Sequence, residues 1–225
     1  MADFPFDLVG FDLDGTLLDT SADLGVARNA TLADIGRPPV PDAALRGLIG
    51  GGSKLMMTKA LALTGGAQGH DAGALWPPLI AHYRRAIAVH SRLFPGGAAM
   101  LDALEGHGVR LAVVTNKLES LAVQLLEELG LAHRFAVILG GDSLGPGRAK
   151  PAPDLLCEML ARTGATRAAY VGDTTYDTRA ARAAGLPCVA VSFGFYDLPP
   201  AELGADALID HFDQLVPALR GLGDS

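Results

Sequence analysis

With 225 residues and 49% hydrophobic composition, the chain can bury one large core or a core carrying an insertion, which excludes a disordered protein. A formal net charge of -7 and the lack of any basic stripe exclude a nucleic-acid surface as the main business, because phosphate backbones are gripped by clustered Lys and Arg. No run of about 18 apolar residues occurs, and Met1-Ala-Asp-Phe-Pro-Phe-Asp7 lacks a basic stretch leading into an apolar one; the expectation is a soluble, unexported, cytoplasmic protein with no membrane partner.

In chain order, the first apolar run, Phe6 to Asp12, reads as a strand ending on an acid. From Leu18 to about His90 the pattern is helical, with helices predicted over Ser21 to Ile35, Ser53 to Leu63 and Asp71 to Val89 and no strand among them. This stretch holds seven Lys/Arg against five Asp in an otherwise acidic chain, a hint that an anionic ligand lies beneath it. Residues 18–90 are therefore expected to form an inserted helical domain, and residues 1–17 with 91–225 the core. Pro95-Gly96-Gly97 marks the return.

Beyond it, Leu101 and Leu104 share one face of a helix over Gly97 to His107, and Val109 to Thr115 reads as the next strand. A helix carrying Leu121, Leu125, Leu126 and Leu129 follows, then a strand over Phe135 to Leu139. The Gly/Pro-rich loop Gly145-Pro-Gly-Arg-Ala149 leads to Lys150 and a helix over Ala152 to Thr163. Ala168 to Gly172 is a strand, Asp177 to Ala184 a helix stopped at Gly185-Leu186-Pro187, and Pro187 to Ser192 and Asp206 to Ile209 are the last strands. Strands alternating with helices imply an α/β fold with a doubly wound parallel sheet covered on both faces. Cys157 and Cys188 stand in a helical pattern and a strand pattern without metal or redox spacing, and both are expected as buried, reduced thiols.

Ligands of open α/β sheets gather at the carboxyl ends of the strands. There stand Asp12, Thr115-Asn116 and Asp173, with Asp177 four residues on. In Asp12-Leu13-Asp14-Gly15-Thr16 two carboxylates two residues apart face one side, and Gly15 permits the chain to turn away. Asp12 suits in-line attack on phosphorus, and Asp14 suits protonation of the leaving oxygen and later deprotonation of water. An isolated Asp usually caps a helix or turn, but a four-residue match to this pattern arises by chance in only roughly a few per thousand chains of this length.

Asp12, Asp14, Asp173 and Asp177 in one cleft would repel one another unless a cation lay among them, and an all-oxygen set favours Mg2+. Asp173 is preferred over Asp177 as a direct ligand, since Asp177 also suits a helix cap. Thr115, Asn116 and Lys150 bring the opposite polarity to the phosphoryl oxygens. In the insert, Arg46-Gly-Leu-Ile-Gly-Gly-Gly-Ser-Lys54 fails the Walker pattern, because Ser53 separates the glycine from the lysine. Arg46 and Lys54 are instead candidates to meet a substrate carboxylate. The six His show no catalytic or metal spacing.

Taken together, Asp-x-Asp-Gly-Thr, Thr-Asn, Lys-Pro and Gly-Asp-x-x-x-Asp resemble the four ordered motifs of the haloacid dehalogenase superfamily across residues 12 to 177. Phe94-Pro-Gly, Leu111 to Lys117, Gly140-Gly-Asp142, Lys150 to Asp154 and Ala180 to Gly185 are similar to its phosphoglycolate phosphatase-like branch. The resemblance implies a Rossmann-like core and a small helical cap that closes over the site and selects the substrate. It also implies Asp12 as nucleophile through an aspartyl-phosphate and Asp14 as general acid/base and metal ligand through its backbone carbonyl. Asp173 becomes the remaining protein ligand of Mg2+, and Thr115 and Lys150 the phosphoryl binders. A carboxylate at position 14 speaks against dehalogenases and phosphonatases. The expected activity is hydrolysis of a small-molecule phosphate monoester, 2-phosphoglycolate first, by a monomer or homodimer. A pyrophosphatase, a phosphosugar phosphatase or mutase, and a catalytically idle phospho-ligand binding module are the alternatives.

Overall fold

Four buried residues, Leu8 to Phe11, form β1, and their neighbours on both sides are buried as well, apart from Arg110 opposite Leu8. The computed structural model describes residues 4–41 and 53–223. After β1 come β2 (Leu18–Asp19), α1 (Ser21–Asp34), α2 (Ser53–Leu63), α3 (Trp76–Arg85) and β3 (Arg92–Leu93). The remaining elements are α4 (Gly97–Gly106), β4 (Arg110–Val114), α5 (Glu119–Glu128), β5 (Phe135–Leu139), α6 (Asp154–Thr163), β6 (Ala168–Gly172), α7 (Thr175–Ala183), β7 (Cys188–Val191), β8 (Ala207–Ile209) and α8 (Leu215–Gly223).

The large sheet runs β5-β4-β1-β6-β7-β8 and is parallel throughout. Successive side chains of a strand point to opposite faces, so a sheet covered on both sides needs apolar residues at every position. Val9, Phe11, Val113, Val171 and Val191 pack on one face with α4, α5 and α8. Leu8, Ala112, Val114, Tyr170 and Cys188 pack on the other, against Leu155, Leu156 and Met159 of α6 and Ala180 and Ala181 of α7. The expected doubly wound α/β architecture is what these three layers build.

Three local expectations are corrected. The stretch read as purely helical begins with a strand: β2 pairs antiparallel with β3, Leu18 opposite Leu93 and Asp19 opposite Arg92. Two residues per strand are too few for any periodicity to register. The third helix of the insert is Trp76–Arg85 rather than Asp71 to Val89, because Pro77 and Pro78 belong in a first turn, where their missing N–H groups are not needed. Cys157 is exposed, since Leu155, Leu156 and Met159 take the inward face of α6; Cys188 is buried, and both are free thiols.

The insert is tied at its neck. The buried carboxylate of Asp23 accepts hydrogen bonds from the His90 and Ser91 backbone N–H groups and from the Ser91 hydroxyl, at 2.7 to 3.1 Å. The first turn of α1 is thereby stitched to the segment that leads back into β3. No helix among the described residues is long and apolar enough to cross a membrane.

Candidate active site

The chain goes from β1 to β4 on one side of the sheet and later crosses to β6 on the other. That reversal opens a crevice at the carboxyl ends of three adjacent strands. Phe11 lies opposite both Val113 and Val171, so the residues that follow emerge side by side: Asp12 from β1, Thr115 from β4 and Asp173 from β6.

Lys150 reaches this crevice from the loop before α6 and is almost wholly buried. Its Nζ lies 2.8 Å from Asp12 Oδ1, 2.6 Å from Asp177 Oδ1 and 2.8 Å from the Tyr170 hydroxyl, which donates onward to the Val114 carbonyl. Burial disfavours the ammonium, but the carboxylates of Asp12 and Asp177 outweigh it and raise its pKa. The expected helix at Ala152 starts at Asp154, leaving Pro151 in a turn, and the Asn116 amide donates to the Lys150 carbonyl at 2.9 Å. Asn116 therefore holds the lysine loop with the group expected to face a ligand.

Burial pushes the Asp12 carboxyl up to about 6; Lys150 opposes the rise, and Asp177 and Asp14 add to it. Asp173 is also raised, by burial first and then by Asp12 and Asp177, against hydrogen bonds from the Phe195 N–H at 2.6 Å and the Thr16 hydroxyl at 2.9 Å. Asp12, Asp173 and Asp177 each place one carboxylate oxygen within 4.8 Å of the others. Asp177 has other duties. Its Oδ2 accepts from the Thr174 N–H and hydroxyl in a capping box that starts α7, while Oδ1 takes Lys150. Among the described residues each Asp173 oxygen accepts a single hydrogen bond, fewer than those of Asp177, and a hard divalent cation fits this all-oxygen, net-negative set.

Two glycines let the chain pass this close. Gly15, at φ 89°, would put a Cβ 2.3 Å from Asp173 Oδ2. Gly194 would put one 2.4 Å from Asp173 Cβ and 2.5 Å from the Gly15 carbonyl oxygen, so its lack of a side chain lets the loop after β7 present the Phe195 N–H. Gly194→Ala should force Asp173 or the Gly15 backbone aside. A loss of about 1–3 kcal/mol in urea unfolding, with at least a tenfold fall in turnover, is expected; unchanged kinetics would show that Asp173 tolerates displacement.

Asp14 points elsewhere, outside the three converging carboxylates. It forms an ion pair with Lys117, whose Nζ is 2.9 and 3.0 Å from its two oxygens, and accepts from the Thr20 hydroxyl at 2.7 Å. Lys117 was visible in the sequence only as the third residue of Thr115-Asn116-Lys117; its 5% exposed side chain lines the site, Nζ 4.4 Å from the centre of the Tyr83 ring in α3. Burial opposes its charge, but Asp14 and Tyr83 raise its pKa overall.

Between sheet and insert lies a cavity of about 380 Å³. Asp12, Asp14, Thr115, Asn116, Lys117 and Lys150 line its floor, and Leu24, Lys54, Met56, Trp76, Leu79, Ile80 and Tyr83 its roof. Lys54, exposed at the start of α2, therefore borders the site. Arg46 lies outside the described residues. A nucleophile, a nearby acid, a cation-accepting pair and a buried ammonium can together transfer a group bearing several negative oxygens.

Known proteins are similar to this chain over nearly its whole length. The model of the haloacid dehalogenase-like hydrolases matches residues 9–191. The sequence is 42% identical over 212 residues to a phosphoglycolate phosphatase of Agrobacterium fabrum, spanning 93% of this chain and 90% of that one. A crystal structure of a predicted phosphoglycolate phosphatase from Haemophilus somnus superposes with a TM-score of 0.85 at 29% identity, over 95% of this chain and 97% of that one. CbbY from Rhodobacter sphaeroides, solved in complex with phosphate, gives 0.78 at 27% identity over 95% and 99%.

Proposed function

The chain belongs to the haloacid dehalogenase-like hydrolases and is a phosphoric monoester hydrolase, and from that premise we propose that it hydrolyses 2-phosphoglycolate with Mg2+, through a phosphorylated Asp12. The observation that carries the reading is the meeting of Asp12, Thr115 and Asp173 at three neighbouring strand ends, with Lys150 reaching Asp12 from the loop before α6 and Asp14 lining the same cavity. The name of the Agrobacterium relative supports the substrate, and the phosphate held by CbbY supports the ligand class.

In the first step an Asp12 carboxylate oxygen forms a bond to phosphorus in line with the departing oxygen, and the P–O bond to the alcohol breaks. Asp14 delivers a proton to the departing oxygen. In the second step Asp14 takes a proton from water, which attacks the phosphoryl group and returns Asp12 as a free carboxylate with inorganic phosphate. Lys150 and the Thr115 hydroxyl hold equatorial phosphoryl oxygens, where charge spreads in the transition state. Mg2+, held by the side chains of Asp12 and Asp173 and by the backbone carbonyl of Asp14, would supply positive charge against the repulsion between nucleophile and phosphoryl group. Asp177 serves this set from behind, by fixing Lys150 and the start of α7. The 18–90 insert acts as a cap that excludes bulk water.

The test is release of inorganic phosphate from a panel of 2-phosphoglycolate, sugar phosphates and pyrophosphate, with Mg2+ and with a chelator. Turnover of 2-phosphoglycolate should lead the panel by at least about tenfold in kcat/KM and should vanish on chelation. A sugar phosphate or pyrophosphate leading the panel would overturn the substrate, and turnover that survives chelation would overturn the metal.

A further inference from the structure

Among the polar groups on the roof of the cavity, the Tyr83 hydroxyl is buried and is left unused by the chemistry above. Tyr83 is 2% exposed and borders the cavity, and its hydroxyl makes no hydrogen bond of ordinary length and angle among the described residues. Burying a hydroxyl unsatisfied is costly, and phenylalanine in the same apolar position would avoid that cost. The surroundings say what the hydroxyl is for. Burial, reinforced by Asp14 and opposed by Lys117, pushes its pKa up to about 12, so at neutral pH it is a hydrogen-bond donor.

Beside it stands the Lys117 ammonium, 4.4 Å from the ring centre. An ammonium has three donors, and Asp14 is the one carboxylate that engages this one among the described residues. A neutral donor and a cation side by side, under a roof of Leu24, Leu79 and Ile80, are a receptor for one anionic oxygen pair attached to little carbon. The spacing agrees. Lys150 pairs with Asp12 and Lys117 with Asp14, and the α-carbons of residues two apart are at most about 7 Å from each other. Lys117 and Lys150 line the same cavity, so a second anion-accepting group faces the space that a short acid with its phosphoryl end on Lys150 would occupy.

Resting on the phosphatase reading, we infer that Tyr83 is a specificity-determining residue, whose hydroxyl, with Lys117 beside it, binds the carboxylate of the phosphorylated acid. The carboxylate satisfies the buried hydroxyl, and a phosphate ester without one leaves it unsatisfied. Discrimination therefore has two sources, the hydrogen bond that the acid accepts and the desolvated hydroxyl that the simpler ester leaves behind.

The experiment compares Tyr83→Phe with the unaltered protein on 2-phosphoglycolate and on ethyl phosphate, which lacks the carboxylate, in the presence of Mg2+. The ratio of kcat/KM for the acid over the ethyl ester should fall by about tenfold or more in the variant, chiefly through KM for the acid. The thermal midpoint should stay level or rise, because the hydroxyl removed makes no hydrogen bond of ordinary length and angle among the described residues. A ratio unchanged by the substitution overturns the inference while the phosphatase reading stands. So does an unaltered protein with no preference for the acid. Absence of turnover of either ester by the unaltered protein overturns the phosphatase reading itself, and this inference with it.

Discussion

Asp12→Asn should lower kcat for phosphate-ester hydrolysis by about three orders of magnitude or more while leaving a folded protein. The amide cannot form the acyl-phosphate bond, and no other carboxylate in the site is placed to take over: Asp177 is spent on Lys150 and α7, Asp173 on Thr16 and Phe195, and Asp14 on Lys117. The fold should not depend on the charge. Burial holds the Asp12 carboxyl up at about 6, above its ordinary value of 3.8. A carboxyl raised on folding contributes stability that is present below the unfolded value and lost as the pH rises through the folded one. In metal-free protein this loss falls between about pH 4 and pH 6, and asparagine, which does not titrate, should lack it. At pH 7.5 without metal the variant should therefore unfold at or above the temperature of the unaltered chain. Phosphate release assays and thermal scans check the two halves separately. Appreciable Mg2+-dependent turnover would dismiss Asp12 as nucleophile, and a steep fall in unfolding temperature would make it a structural residue.

Lys150→Met is expected to damage both chemistry and stability. Methionine fills most of the volume of the stem but leaves Asp12 and Asp177 facing one another without the ammonium that lies 2.8 and 2.6 Å from them. Removing one partner of a buried ion pair costs about 3–5 kcal/mol, because the remaining charge stays desolvated. Removing a preorganised cation from a developing negative charge costs about 100- to 1,000-fold in kcat. Urea unfolding and steady-state kinetics read the two effects. Mg2+ should restore part of the stability, since a cation at Asp12 and Asp173 replaces some of the missing charge, but not the rate. A stability loss below about 1 kcal/mol would mean that these carboxylates do not need Lys150 to remain buried.

Much of the site was legible because its chemistry is written where strands end. Asp12, Thr115 and Asp173 each follow an apolar run, and a parallel sheet brings such ends together whatever the helices do. Lys117 was legible as a letter and not as a position: the turn after β4, not any periodicity, carries its side chain across to Asp14 103 residues away. The clamp on Asp173 by Phe195 and Gly194 comes from a loop 22 residues on that has no pattern of its own. Tyr83 reads as one more apolar position on an amphipathic helix, and only its unsatisfied hydroxyl separates it from a core phenylalanine. Of the basic residues of the 18–90 stretch, Lys54 lines the cavity, while Arg46 lies beyond the described residues.

The pairing of Leu18 with Leu93 and Asp19 with Arg92 brings the two ends of a long detour to within a single strand spacing, about 4.8 Å. Seen from the sheet, everything from Thr20 to Ser91 is the loop of a two-stranded ribbon, and the Asp23 stitch closes that loop before its helices are counted. Closing a flexible loop twice as long costs only about 0.6 kcal/mol more. A core built this way is indifferent to how much chain is spliced between its ribbon ends, so new roofs can be exchanged over an unchanged floor.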